Sequence, residues 1–274
     1  MMEAASRESF GAAVDRLNTY AKRAKAETLA TVADELLAIA KLLSGEPRLR
    51  RALSDPARSG DDRAALATSL FGKQLAEGTR TLFGVLVSGR WSSASDLLDG
   101  AELLGVEALL ASAERDDALA EVEDELFRFG QIVAGQERLA AVLGDVTADP
   151  AQRAELVSSL LSGKVSAVTL RLTELALTGF GGRGFESALT RLVELAAARR
   201  DREIGYVTVA AELSDGDLDR LAAALRRIYG REIALKVSVD PRILGGMSVQ
   251  VGSDLYDGTI LRRINETRTA LSRR

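Results

Sequence analysis

The side chains best able to do chemistry in this sequence are carboxylates and arginines. Asp61-Asp62, Asp116-Asp117 and the run of Glu121, Glu123, Asp124 and Glu125 gather acid groups as a magnesium site or acidic catalysis would need. The partners that such chemistry usually recruits are missing. There is no His, which removes the commonest general base, the Ser–His pair and the usual zinc ligand. There is no Cys, which removes thiolate metal sites and disulfides. Acid runs of this kind usually occupy solvated helix faces and helix N-termini, where the helix dipole favours them. The expectation is no catalytic residue, no cofactor and no metal.

Other candidates reduce to structure in the same way. Gly179-Phe180-Gly181-Gly182-Arg183-Gly184 is rich in glycine but lacks the Lys-Ser/Thr of a phosphate loop and follows a helical stretch, so it reads as a connector. Gly245-Gly246 and Asp257-Gly258 suit a turn between strands and the cap of a final helix, rather than a ligand loop. Arg262, Arg263, Arg268, Arg273 and Arg274 make the C-terminus basic, which suits a helix C-terminus or an acidic partner. With a net charge of −4 and a pI near 5.3, the chain is not expected to bind nucleic acid. Trp91 and Phe71 read either as interface anchors or as buried bundle residues.

The elements behind these residues are mostly helices. Of the 274 residues, 46% are hydrophobic and only 4% aromatic, a mixture suited to helices packed through Ala and Leu. Phe10, Ala13, Val14, Leu17, Tyr20 and Ala24 form one helical stripe with Ser6 as its expected N-cap; Leu29, Val32, Leu36, Ile39 and Leu43 form the next, ended by Gly45 with Pro47 beyond. No apolar run approaches the roughly 20 residues that cross a bilayer. Met1 to Arg7 shows no basic start followed by an apolar stretch, so no signal peptide is expected.

The chain also repeats itself at a displacement of ninety positions. Leu29, Ala30, Val32, Asp34, Glu35 and Leu36 then meet Leu119, Ala120, Val122, Asp124, Glu125 and Leu126. Gly45, Arg48, Leu49, Leu53 and Asp55 meet Gly135, Arg138, Leu139, Leu143 and Asp145, and Arg63 and Gly89 meet Arg153 and Gly179. Leu pairs mean little in Ala/Leu-rich helices, but glycines and aspartates in register mark matching helix ends. Asp149-Pro150 supplies such a start in the second copy. After about residue 203 the period changes to two. Tyr206, Val207 and Val209 suggest a strand, Ser214 with Asp217 a capping box, and Leu218, Leu221, Leu225 and Ile228 a helix ended by Gly230. Ile233, Leu235, Val237 and Val239, then Met247, Val249 and Val251, alternate as strands, and Ile260, Ile264 and Leu271 mark a last helix.

The fold class expected is mainly α: two tandem helical bundles, residues 1–105 and 106–203, followed by a small α+β (β-α-β-β-α) C-terminal domain over residues 204–274.

The segment from Asp240 to Gly252, with Leu244-Gly245-Gly246-Met247 at its centre, resembles the signature region of the delta subunit of the F-type ATP synthase, the oligomycin-sensitivity-conferring protein family. Leu255 to Ile264 is similar to that family's Asp-Gly-Ser helix start, with Thr259 where Ser is usual and Ile264 where Leu is usual. Ser6 to Tyr20 and residues 166–200 resemble its first and last bundle helices. The chain is longer than a typical member by about one bundle, so it resembles a long form with a duplicated N-terminal helical domain. The resemblance implies a non-catalytic stator subunit that ties the catalytic head to the peripheral stalk, peripheral on the cytoplasmic face of the cell membrane and held there only through partners. It further implies a groove for the N-terminal segments of the alpha subunit, lined by Phe10, Val14, Leu17, Leu82, Phe83 and Leu86, with Val168, Leu172 and Leu175 as an equivalent wall in the second copy. The C-terminal domain would meet the b subunit. A generic helical adaptor, an enzyme built on carboxylates and arginine, and an RNA-binding tail are the rival readings.

Overall fold

Ala at many core positions lets helices approach closely, and the first two hundred residues are helices joined by short turns. The structure is a computed structural model that describes residues 3–200, 203–230, 233–251, 254–262 and 264. In order these are α1 (Ala4–Ala21), α2 (Ala26–Gly45), α3 (Pro47–Leu53), α4 (Gly60–Phe71), α5 (Glu77–Ser88) and α6 (Ala94–Arg115). There follow α7 (Leu119–Ala134), α8 (Glu137–Gly144), α9 (Pro150–Leu161), α10 (Ala167–Leu177), a single 3-10 turn at Phe180–Gly182, and α11 (Phe185–Arg199). Start signals operate where the sequence has them: Asp149 caps α9 with Pro150 inside the first turn, and Ser59, Ser93 and Ser166 cap α4, α6 and α10. Pro47 begins α3 rather than merely following α2. Ser6 is not a cap. It lies inside α1, buried, where its hydroxyl donates to the Asp96 carboxylate at 2.5 Å and accepts from the Ser92 amide at 2.9 Å.

The ninety-residue displacement carries helices onto helices. α4 over 60–71 returns as α9 over 150–161, α5 returns as α10, and α2 and α3 return as α7 and α8. The side-chain bonds repeat with them. The Glu35 carboxylate accepts from the Ala76 amide at 3.0 Å, and Glu125 accepts from the Ser166 amide at 3.1 Å. Asp55 accepts from the Ala57 amide and Asp145 from that of Thr147. The displacement carries α1 onto α6 and α6 onto α11, so α6 is the last helix of one unit and the first of the next. The boundary expected between residues 105 and 106 falls inside this continuous helix. One hydrophobic core runs through both units, from Ala13 to Ala197.

The acidic run on α7 is not one solvated face. Glu121 and Asp124 are exposed, but Glu123 is buried and ion-paired, and Glu125 is half-buried among the amide and hydroxyl donors at the start of α10. The partners of Glu123 are Arg200 and Lys236, too far along the chain for periodicity to reveal.

The tail comprises β1 (Glu203–Val209), α12 (Asp215–Tyr229), β2 (Ile233–Val239), β3 (Met247–Val251) and β4 (Asp254–Asp257), with sheet order β2-β1-β3-β4. β1 and β2 are parallel, joined by α12, and β1–β3 and β3–β4 are antiparallel. Val207, Val209, Ile233, Val249 and Val251 form a second core with Leu225 of α12. β4 was not expected; four residues between glycines carry too short a period to register as a strand. Residues 260–262 and 264 are helical, while Leu271, Arg263, Arg268, Arg273 and Arg274 lie outside the described residues.

Candidate partner-binding site

The six residues expected on one open wall divide into two groups. Leu17, Leu82, Phe83 and Leu86 are buried in the core of the first unit. Phe83 meets Phe71 edge-to-face at 5.8 Å, and Trp91 closes the same end of α5 by donating its indole N–H to the Leu86 carbonyl at 2.9 Å. These four residues hold helices together and have almost no surface to offer a partner. Trp91 and Phe71 likewise resolve as bundle residues. Phe10 and Val14 are half-buried and retain accessible surface.

Val14 does not line a cleft with the α5 residues. The side of α1 that meets α5 is marked by Tyr20 and Ser9: a Cβ on Gly78 would fall 2.4 Å from the Tyr20 hydroxyl, and one on Gly89 2.6 Å from the Ser9 Cβ. Val14 lies on the other flank. With Asn18, Ala21 and Lys22 it lines a cleft of about 660 Å³ against Glu107 and Arg115 of α6 and Ala198 of α11. Arg199 crosses this cleft, donating to Glu107 at 3.1 Å, to Glu114 at 2.9 Å and to the Asn18 side-chain oxygen at 3.2 Å. The C-terminal ends of α1, α6 and α11 lie among the lining residues, and Lys22, Arg115 and Arg199 supply the positive charge that helix C-termini favour. Burial pushes the Glu107 carboxyl above its ordinary range, and neighbouring Arg199 offsets this only in part. The second-copy wall is no more open: Leu172 is buried, and Val168 and Leu175 are half-buried against the same core.

The tail motif forms a turn, and the helix cap expected at Asp257 falls instead on Thr259. Gly246 has φ 83°, and a Cβ there would lie 2.4 Å from the Gly258 carbonyl oxygen. Gly258 donates to the Met247 carbonyl at 2.9 Å and Ile260 to that of Gly245 at 3.0 Å, so the glycine pair lets two chain segments run against each other. Asp257 accepts from the Thr259 amide at 2.9 Å; it is Thr259 whose hydroxyl receives the Arg262 amide and caps the helical residues. Near this motif Leu244, Leu255, Leu261 and Ile264 are each exposed. No signal in the strand period could have shown this exposure, because Leu244 sits in a loop and Leu255 on the unexpected edge strand.

Among the described residues no group of three or more His, Cys, Asp or Glu is arranged to hold a metal, and no helix is long and apolar enough to cross a membrane.

A family model described as the ATP synthase delta (OSCP) subunit matches residues 17–102 and 106–271. Proteins called ATP synthase subunit delta from Salinispora arenicola and Salinispora tropica are each 59% identical over 274 residues, covering all of both chains. One of the same name from Streptomyces avermitilis is 44% identical over 268 residues, covering 98% of each.

Proposed function

The chain belongs to the ATP synthase delta (OSCP) family, and from that premise we propose how it acts within the complex. It is a subunit of the ATP synthase, part of the peripheral stalk, and serves ATP synthesis and ion transport as a stator. Its role is to tether: the helical units, residues 1–105 and 106–203 joined through α6, grip the catalytic head, and residues 204–274 grip the stalk. It performs no reaction of its own, in keeping with a sequence that has neither His nor Cys. The head contributes N-terminal segments of the alpha subunit, bound as amphipathic helices against the accessible part of α1, where Phe10 and Val14 keep surface available. The b subunit packs on the exposed Leu244, Leu255, Leu261 and Ile264. The subunit lies on the cytoplasmic face of the cell membrane, attached through these partners.

The observation that carries this reading is relatedness along the whole chain, both helical units and tail together, rather than over one module. The test is capture of the tagged full-length chain from solubilised membranes, with its partners identified. Head and b subunits should both be recovered. Leu255→Asp with Leu261→Asp should release the b subunit and keep the head; retention of both would remove these tail residues from the interface.

A further inference from the structure

The tail's sheet is covered on both faces, and the second cover is the helical part of the chain. Tyr206 pairs with Lys236 in the parallel register and with Gln250 in the antiparallel one, so Lys236, Tyr206 and Gln250 stand in a row across β2, β1 and β3. They project from the face opposite Val207, Val249 and Val251, which pack on α12. Tyr206 instead packs against the helical core. The alternation on β2 leads one to expect Lys236 in water, yet it is only 7% exposed.

Charge accounts for its burial. The Lys236 ammonium lies 3.0 Å from Glu123, 2.6 Å from Asp124 and 5.3 Å above the Phe127 ring. Glu123, 1% exposed, also receives the Arg200 guanidinium at 2.7 Å. Two carboxylates thus face two cations from three elements: α7, the chain just beyond α11, and β2. Apolar packing beside this cluster is incomplete. A cavity of about 350 Å³ separates Leu126 and Phe127 of α7 and Val193 of α11 from Tyr206 and Gln250. The Tyr206 hydroxyl is buried there with no hydrogen-bond partner among the described residues. Each part of the chain has its own core, with only Tyr206 of the tail packed on the helical one.

We propose that Glu123, with Lys236, Arg200 and Asp124, is an electrostatic latch that fixes the angle of the α+β domain on the helical part and is the joint at which the two come apart. Close-packed surfaces lock through shape; here the surfaces leave a gap and the ion pairs set the alignment. A buried pair resists loss of either member strongly, because the remaining charge is left uncompensated in a dry site. The latch therefore holds firmly while intact and lets go as a unit. The proposal does not depend on which partners the subunit binds.

The chain has no Cys, so spin labels can be placed singly on the full-length protein. Exposed Ala38 on α2 and Ala223 on α12 span the joint, and Ala38 with Ala141 on α8 provides a control inside the helical part. Replacing each with Cys and measuring pulsed dipolar distances should give a narrow distribution across the joint. Glu123→Gln and Lys236→Met should each broaden it by about twofold or more, with the control pair unchanged. Lys236→Met lies in the other domain and decides the matter if Glu123→Gln loosens the bundle. Unchanged widths in Lys236→Met, or broadening only with Tyr206→Ala, would show that packing sets the angle and would overturn the latch.

Discussion

The Arg63 Nε donates to the Val87 carbonyl at 2.9 Å and the Arg153 Nη1 to the Leu177 carbonyl at 3.3 Å, so two arginines ninety positions apart bind the same helix end in the two helical units. The likeness is incomplete. Arg63 donates further to the carbonyls of Asp55, Arg58, Ser88 and Gly89. Arg153 adds only Leu143, and its Nε is buried without a partner among the described residues.

The two positions should therefore differ in worth. Charged donors on otherwise orphaned carbonyls contribute more than neutral hydrogen bonds, so Arg63→Met is expected to cost about 3 kcal/mol or more and Arg153→Met about 1–2 kcal/mol. Urea denaturation of the full chain reads both. Equal costs would mean that the extra bonds of Arg63 add nothing net.

Burial separates the residues once grouped as a binding wall. Leu86 is fully buried, and Leu86→Ala should cost about 2–5 kcal/mol through the cavity it leaves. Val14 is half-buried at the cleft, so Val14→Asp should leave the melting temperature within a few degrees of wild type while weakening capture of the catalytic head. Undiminished head capture by a folded Val14→Asp protein would move the contact off this flank of α1.

How far the sequence could carry this reading depends on the distance between cause and effect along the chain. Helix stripes such as Leu29 to Leu43, the caps at Asp149 and Ser214, and the alternation of β2 and β3 are local, and each element forms where its period indicates. The repeat was legible because glycines and aspartates at helix ends kept register. Tertiary partners were not. Ser6 resembles a cap until Asp96 takes its hydroxyl, and Glu123 resembles a solvated acid until Lys236 and Arg200 close over it. Phe10, Val14 and Leu17 share a helical stripe, but a stripe does not say where core ends and surface begins, and Leu17 fell on the inner side.

The glycine pair in the tail gives a sharper test of the turn reading. With φ 83° and the Gly258 carbonyl oxygen 2.4 Å from where a Cβ would stand, Gly246→Ala should destabilise the α+β domain by about 1–3 kcal/mol from backbone strain alone, and more through the clash. Unfolding of the α+β domain should shift to lower temperature relative to wild type, and stalk capture should fall while head capture persists. Unfolding unshifted from wild type would show that the loop relaxes at little cost.

Glu107 makes stability depend on pH in an unusual direction for an acid. Its folded-state pKa lies above the ordinary 4.5 because of burial, so the folded chain holds this proton more tightly than the unfolded chain. That contribution is present below the unfolded value and is lost as pH rises through the folded one. Glu107→Gln keeps a hydrogen-bond acceptor for Arg199 without the buried charge. Relative to wild type, it should gain stability as pH is raised from about 4 towards neutrality, read by urea denaturation at both ends of the range. A variant that loses ground at pH 7 would show that the ion pair with Arg199 outweighs the cost of burial.

A helix counted in both units has a mechanical consequence. α6 has 22 residues and so is about 33 Å long, with an unbroken backbone ladder from Ala94 to Arg115. Two modules joined by a linker would turn about it; two modules that own the same rod cannot twist against each other without tearing its hydrogen bonds. The added copy thus brings no pivot at the junction of the two units, because a twist of one against the other must pass through α6.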